Sequence, residues 1–208
     1  MRSSSVIAVA AAFLPTCIAL ASPSSVFYTV DQAAWTSYST GQGASISSEN
    51  FSSISDGYYS NGVSGTVGGI AWSATSSGGV AALSGLVSAS NGSATLSFAV
   101  SPGVNGIAGN LFGRDSSWAA VPAIITVTLS DSTTYIGYAN GPSDFIGFYS
   151  TGATISSLAV TVSSTGSGTA YATADNLYVA TIGPVPAPGA LALLGMAGIA
   201  GRRRRENR

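Results

Sequence analysis

The feature that most constrains the fold of this chain is a period-two alternation of apolar and hydroxyl-bearing residues. From residue 125 to residue 130, apolar side chains occupy the odd positions, and Thr or Ser occupies the even positions. On a β-strand, such alternation places the apolar side chains on one face and the polar side chains on the other. Similar runs recur along residues 25–181, separated by Gly, Asn and Asp turn residues. We therefore expect a chain built from many short strands.

These runs predict about ten strands and one short helix. The predicted strands are 25–29, 44–51, 69–74, 80–88, 93–100, 106–112, 123–130, 134–139, 144–150, 154–163 and 170–181. Residues 30–38 are predicted to form the helix, near the N-terminus of the mature chain, with Asp31 as its N-cap. The pattern predicts an all-β fold, an antiparallel β-sandwich of the jelly-roll type spanning 22–181.

Charge and residue inventory exclude several classes of function. Only 7% of the 208 residues are charged, and the chain contains no His and a single Cys. Between residues 22 and 181, Arg114 is the only cation against seven carboxylates, so we expect no nucleic-acid partner. The lack of His excludes a Ser-His-Asp triad and His-ligated metals. A glycosidase would need only two carboxylates, but most of those present adjoin turn residues, so the sequence predicts a protein that is not an enzyme.

Residues 1–21 have the pattern of a secretory signal peptide. Arg2 precedes a short apolar run, and Ala19 and Ala21 form an A-x-A cleavage motif before Ser22. The alternatives are a transmembrane anchor and a lipoprotein modified at the single cysteine, but the apolar run is short for a bilayer about 30 Å thick. We expect export through the general secretion machinery and a mature chain that begins at Ser22.

Residues 182–208 have a three-part order typical of a sorting tail. The parts are a Pro motif (Val185, Pro186, Ala187 and Pro188), an apolar helix-forming segment (189–201) and a basic cluster (Arg202, Arg203, Arg204 and Arg205). The apolar segment would span roughly 20 Å as a helix, which is short for a permanent membrane span. The Arg cluster is expected to stay on the cytoplasmic side. We expect a transient insertion of the tail in the inner membrane; the alternative is an ordinary C-terminal anchor.

This tail resembles the PEP-CTERM sorting signal of exported proteins of Gram-negative bacteria, with Ala187 where Glu is usual. The resemblance implies processing by an exosortase-type membrane peptidase. It also implies delivery to the outer cell surface or to an extracellular matrix of exopolysaccharide, biofilm or floc. The body resembles domains that accompany this signal, and these are similar in outline to carbohydrate-binding jelly rolls. The matching pieces are 48–51, 69–73, 107–112, 125–134, 145–148 and 172–177.

Asp175 is the carboxylate that most needs a partner. By alternation it shares the face of Leu177 and Val179, which is predicted to point into the core. A buried carboxylate requires a counter-charge, and Ca²⁺ accepts carboxylate and carbonyl oxygens. The resemblance to carbohydrate-binding jelly rolls implies a structural calcium between Asp175 and an early acid, for which Glu49 is the candidate. The alternative is that Asp175 caps a loop or pairs with Arg114.

The stretch from Arg114 to Trp118 gathers a cation, the carboxylate of Asp115 and an aromatic ring. Flat aromatic rings suit the apolar faces of sugars, so these three residues are the predicted ligand site. Core packing is the alternative for Trp118 and the expectation for Trp35 and Trp72. The sequence thus predicts a non-enzymatic surface or matrix protein. The alternative is a secreted carbohydrate-binding module with a structural calcium.

Overall fold

The computed structural model describes residues 25–183. The predicted signal peptide (1–21), the Pro motif (185–188), the apolar segment (189–201) and the Arg cluster (202–205) lie outside the described residues. Within residues 25–183, no helix is long and apolar enough to cross a membrane.

The described chain forms fifteen strands and one helix, α1 (Gln32–Gly41), which follows the first strand. The strands are β1 (Val26–Thr29), β2 (Ala44–Glu49), β3 (Gly57–Tyr59), β4 (Val63–Val67), β5 (Ile70–Ser76), β6 (Val80–Leu83), β7 (Leu86–Ala89), β8 (Leu96–Val100), β9 (Val104–Arg114), β10 (Ala120–Val121), β11 (Ala123–Leu129), β12 (Thr134–Ala139), β13 (Phe145–Ser150), β14 (Ser157–Ser164) and β15 (Tyr171–Ile182).

The strands build two antiparallel sheets that face each other across one core. The first sheet has nine strands in the order β1-β13-β9-β15-β7-β6-β3, with β2 also paired to β15 and β10 to β9. The second sheet has six strands in the order β12-β11-β14-β8-β5-β4. Side chains of both sheets form the main hydrophobic cluster, including Phe112 of the first sheet and Phe98 and Leu158 of the second. The prediction of an all-β antiparallel sandwich is confirmed at this level.

Strand β11 shows why the alternation is a reliable signal. Ala123, Ile125, Val127 and Leu129 are buried, whereas the residues between them are only half-buried. The strand lies between β12 and β14, and its hydroxyl-bearing face looks away from the core. Burying each large apolar side chain contributes about 1.5–3 kcal/mol to folding. The period-two pattern therefore decides which face of this strand joins the sandwich.

Helix α1 packs on the outer face of the first sheet and forms a second hydrophobic cluster. The cluster joins Trp35, which is fully buried, to Phe145 and Tyr149 of β13. The indole Nε1 donates a hydrogen bond of 3.0 Å to the Phe148 carbonyl oxygen. Asp31 caps the helix as predicted, since its Oδ1 accepts the N–H groups at the start of the first turn. Trp72 lies in the main core, so both core predictions for tryptophan are confirmed.

The structure divides residues 80–88, which the sequence predicted as one strand, into the hairpin β6–β7. Ser84 and Gly85 both have positive φ, 51° and 82°, and reverse the chain between the two strands. The Asp56 carboxylate accepts a 2.7 Å hydrogen bond from the backbone N–H of Ser84 and holds this turn. A Ser in the left-handed region is uncommon, so alternation did not indicate a turn here.

Candidate functional site

Arg114, the cation of the predicted ligand site, is buried against two aromatic rings. Only 4% of its surface is exposed. Its guanidinium carbon lies 3.8 Å from the ring centroid of Trp118 and 4.5 Å from that of Tyr171. Tyr171 is the direct cross-strand neighbour of Arg114 in the β9–β15 pairing. We call these three residues the arginine clamp.

Hydrogen bonds fix the guanidinium within the clamp. Nε donates to the Ser88 hydroxyl at 2.8 Å, and one terminal nitrogen donates to the Asp115 carbonyl oxygen at 2.7 Å. The Ser88 hydroxyl also lies 3.0 Å from that of Thr173. Burial lowers the pKa of Arg114, and Tyr171 and Asp115 offset part of that decrease. These partners are a hydroxyl, a carbonyl and two rings, which hold a buried cation without using a carboxylate oxygen.

Asp115 acts as the anchor of a tight loop that carries Trp118. Its Oδ1 accepts the N–H groups of Ser117 at 2.8 Å and Ala119 at 3.0 Å. Trp118 has a positive φ of 68°, and this backbone turns its ring over Arg114. The structure therefore brings the three predicted site residues together. The guanidinium of Arg114 covers one face of the Trp118 ring, however, and that face is therefore not open to a sugar.

The expectation that Asp175 shares the face of Leu177 and Val179 is wrong, because β15 contains a bulge. Ala174 pairs with Leu111 of β9, but the next paired residue, Leu177, pairs with Gly109. The extra residue shifts the alternation, so that Ala174 and Leu177 both face the main core. Asp175 then lies on the outer face of the sheet. Burial there raises the pKa of its carboxyl.

Glu49 and Asp175 do not form the predicted calcium site. Glu49 pairs with Leu177 in the β2–β15 ladder, and residues paired in this way share a face. Glu49 therefore points to the core side of the sheet, opposite to Asp175. Its Oε1 accepts the N–H of Phe51 at 2.9 Å. Residues 25–183 contain no cluster of three or more acidic, His or Cys side chains able to hold a metal ion. The donor set does not fit calcium at this pair.

The other carboxylates mostly serve the backbone. Six of the seven in the described chain accept backbone N–H hydrogen bonds, namely Asp31, Glu49, Asp56, Asp115, Asp131 and Asp144. Asx-type turns and helix caps use aspartate in this way. Asp131 and Asp144 accept from N–H groups of their own turns, whereas Asp56, which adjoins Gly57, accepts from Ser84 in the distant β6–β7 turn.

The sequence did not indicate a cleft at one edge of the sandwich, where β1 and β12 end their sheets. A cavity of about 250 Å³ opens there, lined by residues that include Val30, Tyr135, Tyr138, Ser143 and Asp144. The ring of Tyr28 lies 5.7 Å from that of Tyr135, centroid to centroid. We call this cavity, together with Tyr28, the tyrosine cleft.

Two tyrosines of the cleft present their rings to solvent. Tyr28 is 57% exposed and Tyr138 is 73% exposed. Tyr135 is half-buried, and its pKa is raised first by burial and then by Tyr28 and Asp144. Its hydroxyl lies across Gly137, where a Cβ atom would collide with it. A glycine two residues after a tyrosine is a weak sequence signal for a cleft. Strand β1, which contributes Tyr28, is also far from β12 in the sequence. The cleft therefore becomes visible only in three dimensions.

Asp144 is the charged group of the cleft and is held in a turn. Its Oδ2 accepts the N–H groups of Asn140 and Gly141, the latter at 3.1 Å. The Asp144 carbonyl oxygen accepts the N–H of Leu111 at 3.1 Å, which ties the turn to β9. The hydrogen bonds of the described residues use Oδ2 and leave Oδ1 for other partners. The carboxylate is thus a fixed acceptor beside the aromatic rings.

A second cavity, of about 380 Å³, lies beside the loop of the arginine clamp. Its lining includes Asp115, Val121, Pro122, Thr165 and Thr169, with neither an aromatic ring nor a cation. The tyrosine cleft differs from this second cavity in that aromatic rings and a carboxylate line it together, a composition suited to a ligand site.

Comparison with models of protein families found no match, and searches of curated proteins and of solved structures found no similar chain. The geometry of the body and the order of the tail segments therefore carry the functional argument.

Proposed function

We propose that this chain is an exported, non-enzymatic protein of the cell surface or extracellular matrix. An exosortase-type peptidase sorts it through its C-terminal tail, and it associates with exopolysaccharide in a biofilm or floc. The observation that carries this proposal is the order of the tail segments: the Pro motif 185–188, the apolar segment 189–201 and the cluster Arg202–Arg205. This order suits a tail that pauses in a membrane and presents the Pro motif on the far side.

The chemistry of the body supports a role in binding or structure rather than catalysis. Six of the seven described carboxylates are used as caps or turn acceptors. Burial raises the pKa of the remaining one, Asp175, whereas acid–base hydrolysis of a glycoside requires two carboxyl groups flanking one bond. Few charges and many hydroxyl groups also suit a hydrated polysaccharide matrix.

The fold that we propose for the body is a jelly roll. The pairs β2–β15, β8–β14, β9–β13 and β11–β12 nest inside one another along the chain. Successive pairs alternate between the first and the second sheet. A long antiparallel hairpin wrapped into two sheets has this order, and jelly rolls consist of eight strands in two Greek keys. Of the remaining strands, β1 pairs with β13 and β10 pairs with β9, both in the first sheet. Strands β3 to β7 lie between β2 and β8 in the sequence.

A secreted carbohydrate-binding module is the second candidate function. The observation that favours it is the tyrosine cleft, where exposed aromatic rings meet a fixed carboxylate. This candidate is compatible with the first, because a matrix protein can hold its polysaccharide through such a module. The calcium site predicted at Glu49 and Asp175 is not part of this candidate, since the two carboxylates lie on opposite faces of the sheet.

The sorting proposal is tested by the intact mass of the protein recovered from the surface and the medium of its native host. We expect a chain that begins near Ser22 and ends near Pro186. A variant with Ala at positions 202–205 should be processed less completely, because it lacks the basic cluster. The control variant has Lys at the same positions and keeps the positive charge. A full-length tail retained in the inner-membrane fraction of the unaltered protein contradicts the proposal and leaves an anchored periplasmic domain.

A further inference from the structure

We propose that the tyrosine cleft binds a neutral pyranose unit of a polysaccharide. This inference deepens the proposed association with exopolysaccharide and rests on that proposal for the biological source of the ligand. The site differs from the Arg114–Trp118 site that the sequence predicted.

The aromatic rings of the cleft provide the stacking surface. Tyr28 and Tyr138 are among six large hydrophobic side chains exposed in the described chain, and Val30 and Ile136 are also in this group. Four of the six therefore lie on or next to the edge strands β1 and β12. Of these four, Val30 and Tyr138 line the cavity, and Tyr28 lies against its Tyr135 ring. Exposed apolar side chains around one cavity are typical of an interaction site. The C–H face of a pyranose ring offers a flat apolar surface that matches an exposed tyrosine ring.

Polar groups beside the rings match the hydroxyl groups of a sugar. Asp144 Oδ1 is an acceptor whose position is set by the two hydrogen bonds that Oδ2 receives. The hydroxyl of Ser143 and the phenol groups of Tyr135 and Tyr138 line the same cavity and can both donate and accept. A ligand that is apolar on one side and hydroxyl-rich at its edge satisfies both kinds of group at once.

The charge of the cleft selects neutral sugars. Its lining carries the Asp144 carboxylate and no cation. Arg114, the only cation in residues 25–183, is buried in the arginine clamp and is unavailable to a ligand in the cleft. An anionic sugar would face Coulomb repulsion without a compensating charge. Uronic acids and sulfated or phosphorylated sugars are therefore disfavoured.

The size of the cavity limits what enters it. Its volume is about 250 Å³, slightly below the range of roughly 300–1,000 Å³ found for pockets that enclose drug-sized ligands. A single sugar ring fits this space better than a larger aromatic cofactor, and the open edge of the sandwich leaves room for the rest of a polysaccharide chain.

The test measures retention of the full chain, purified in a polyoxyethylene detergent that carries no sugar, during native electrophoresis through soluble polysaccharides. The neutral probes are hydroxyethyl cellulose, xyloglucan, galactomannan and dextran; the anionic probes are alginate and polygalacturonate. We expect retardation by at least one neutral probe and by neither anionic probe. The double variant Tyr28→Ala/Tyr138→Ala should weaken this retardation at least tenfold, whereas Tyr138→Phe should largely keep it.

The matched control is Tyr58→Ala. Tyr58 is exposed to a similar degree, 62%, but lies on β3, outside the cleft. It should leave retardation unchanged. The thermal unfolding of each variant is measured in parallel to show that it is folded.

Three results would overturn the inference. They are the absence of retardation by all four neutral probes, equal retardation of the double variant and the unaltered chain, and stronger retardation by alginate than by any neutral probe.

Size-exclusion chromatography addresses the alternative occupant, a second copy of the chain pairing along β12. A dimer that the double variant abolishes, without polysaccharide binding, would assign the cleft to self-association. None of these readouts depends on tail processing, so failure here is distinguishable from failure of the sorting proposal.

Discussion

The guanidinium of Arg114 lies over the faces of two aromatic rings. A guanidinium is flat and weakly hydrated, so it can stack on both faces at once while its edge donates hydrogen bonds. Here Trp118 and Tyr171 supply the rings, and Ser88 accepts from the edge. The same contacts that bury the cation also immobilise the loop that carries Trp118. We infer that the clamp mainly stabilises the fold.

The clamp predicts that Arg114→Lys is destabilising although it keeps the charge. A lysine ammonium cannot stack on two rings or reproduce the planar geometry, so we expect a loss of about 1–3 kcal/mol in the free energy of unfolding. Urea denaturation measures this loss. The control Tyr171→Phe keeps a ring over the guanidinium and should cost less than about 0.5 kcal/mol. Equal stability of the lysine variant and the unaltered protein would show that stacking contributes little.

At the scale of elements, helix α1 packs on the first sheet through the rings of Trp35 and Tyr38, and Asp31 caps its N-terminus. Trp35 lies against Gly147 of β13, where a Cβ atom would come within 2.5 Å of the ring. The absence of a side chain at Gly147 lets the indole approach closely enough to donate its N–H to the adjacent Phe148 carbonyl. The helix has only ten residues, so its stability depends on this packing and on the Asp31 cap.

The cap predicts a clear difference between two substitutions of Asp31. Asp31→Ala removes the acceptor for the N–H groups of Ala33 and Ala34 and should cost about 1 kcal/mol. Asp31→Asn keeps an acceptor oxygen and should change stability by only a few tenths of a kcal/mol. Urea midpoints compare the variants, and amide hydrogen exchange at residues 33 and 34 localises the effect. If both substitutions cost the same, the charge rather than the cap is what matters.

On the scale of the whole molecule, the seven carboxylates of residues 25–183 are dispersed among turns, a helix cap and the bulge of β15, and no three of them form a group that could hold a metal ion. This arrangement predicts that EDTA leaves the melting temperature unchanged. A tightly bound structural ion present at about 100 times its Kd would contribute about 2.7 kcal/mol, or roughly 5–10 °C for a domain of this size. Differential scanning calorimetry resolves such a shift. A fall of several degrees, restored by CaCl₂ but not by MgCl₂, would establish a calcium site formed by other ligands.

Prediction from sequence succeeded where the signal is local. The strand 134–139 was predicted with the bounds that the structure has, and the apolar face of β11 follows from its alternation. It failed at the bulge before Leu177, because an inserted residue is identified by the register of the neighbouring strand, which a single strand's pattern does not contain. It also missed β3, β4 and β10, which are two to five residues long and too short for a clear period.

For the candidate site, the sequence identified residues but not their contacts. Arg114, Asp115 and Trp118 are close together as predicted, because they lie within five consecutive residues at the end of β9 and in the loop that follows it. Whether Trp118 faces solvent or a cation depends on how that loop folds over Tyr171, which comes from a distant strand. The sequence therefore predicted that these residues lie close together. It did not predict that the Trp118 ring packs on Arg114.

By itself, the amino-acid sequence determined the all-β class, the capped helix and the absence of His- or thiol-based chemistry in the body. These properties depend on periodicity and residue inventory, which are local. Only the tertiary structure decided that Asp175 and Glu49 point to opposite faces and that Tyr28 meets Tyr135 at a cleft. Those outcomes depend on strand order and register, which arise when segments far apart in the chain bury their apolar faces against each other.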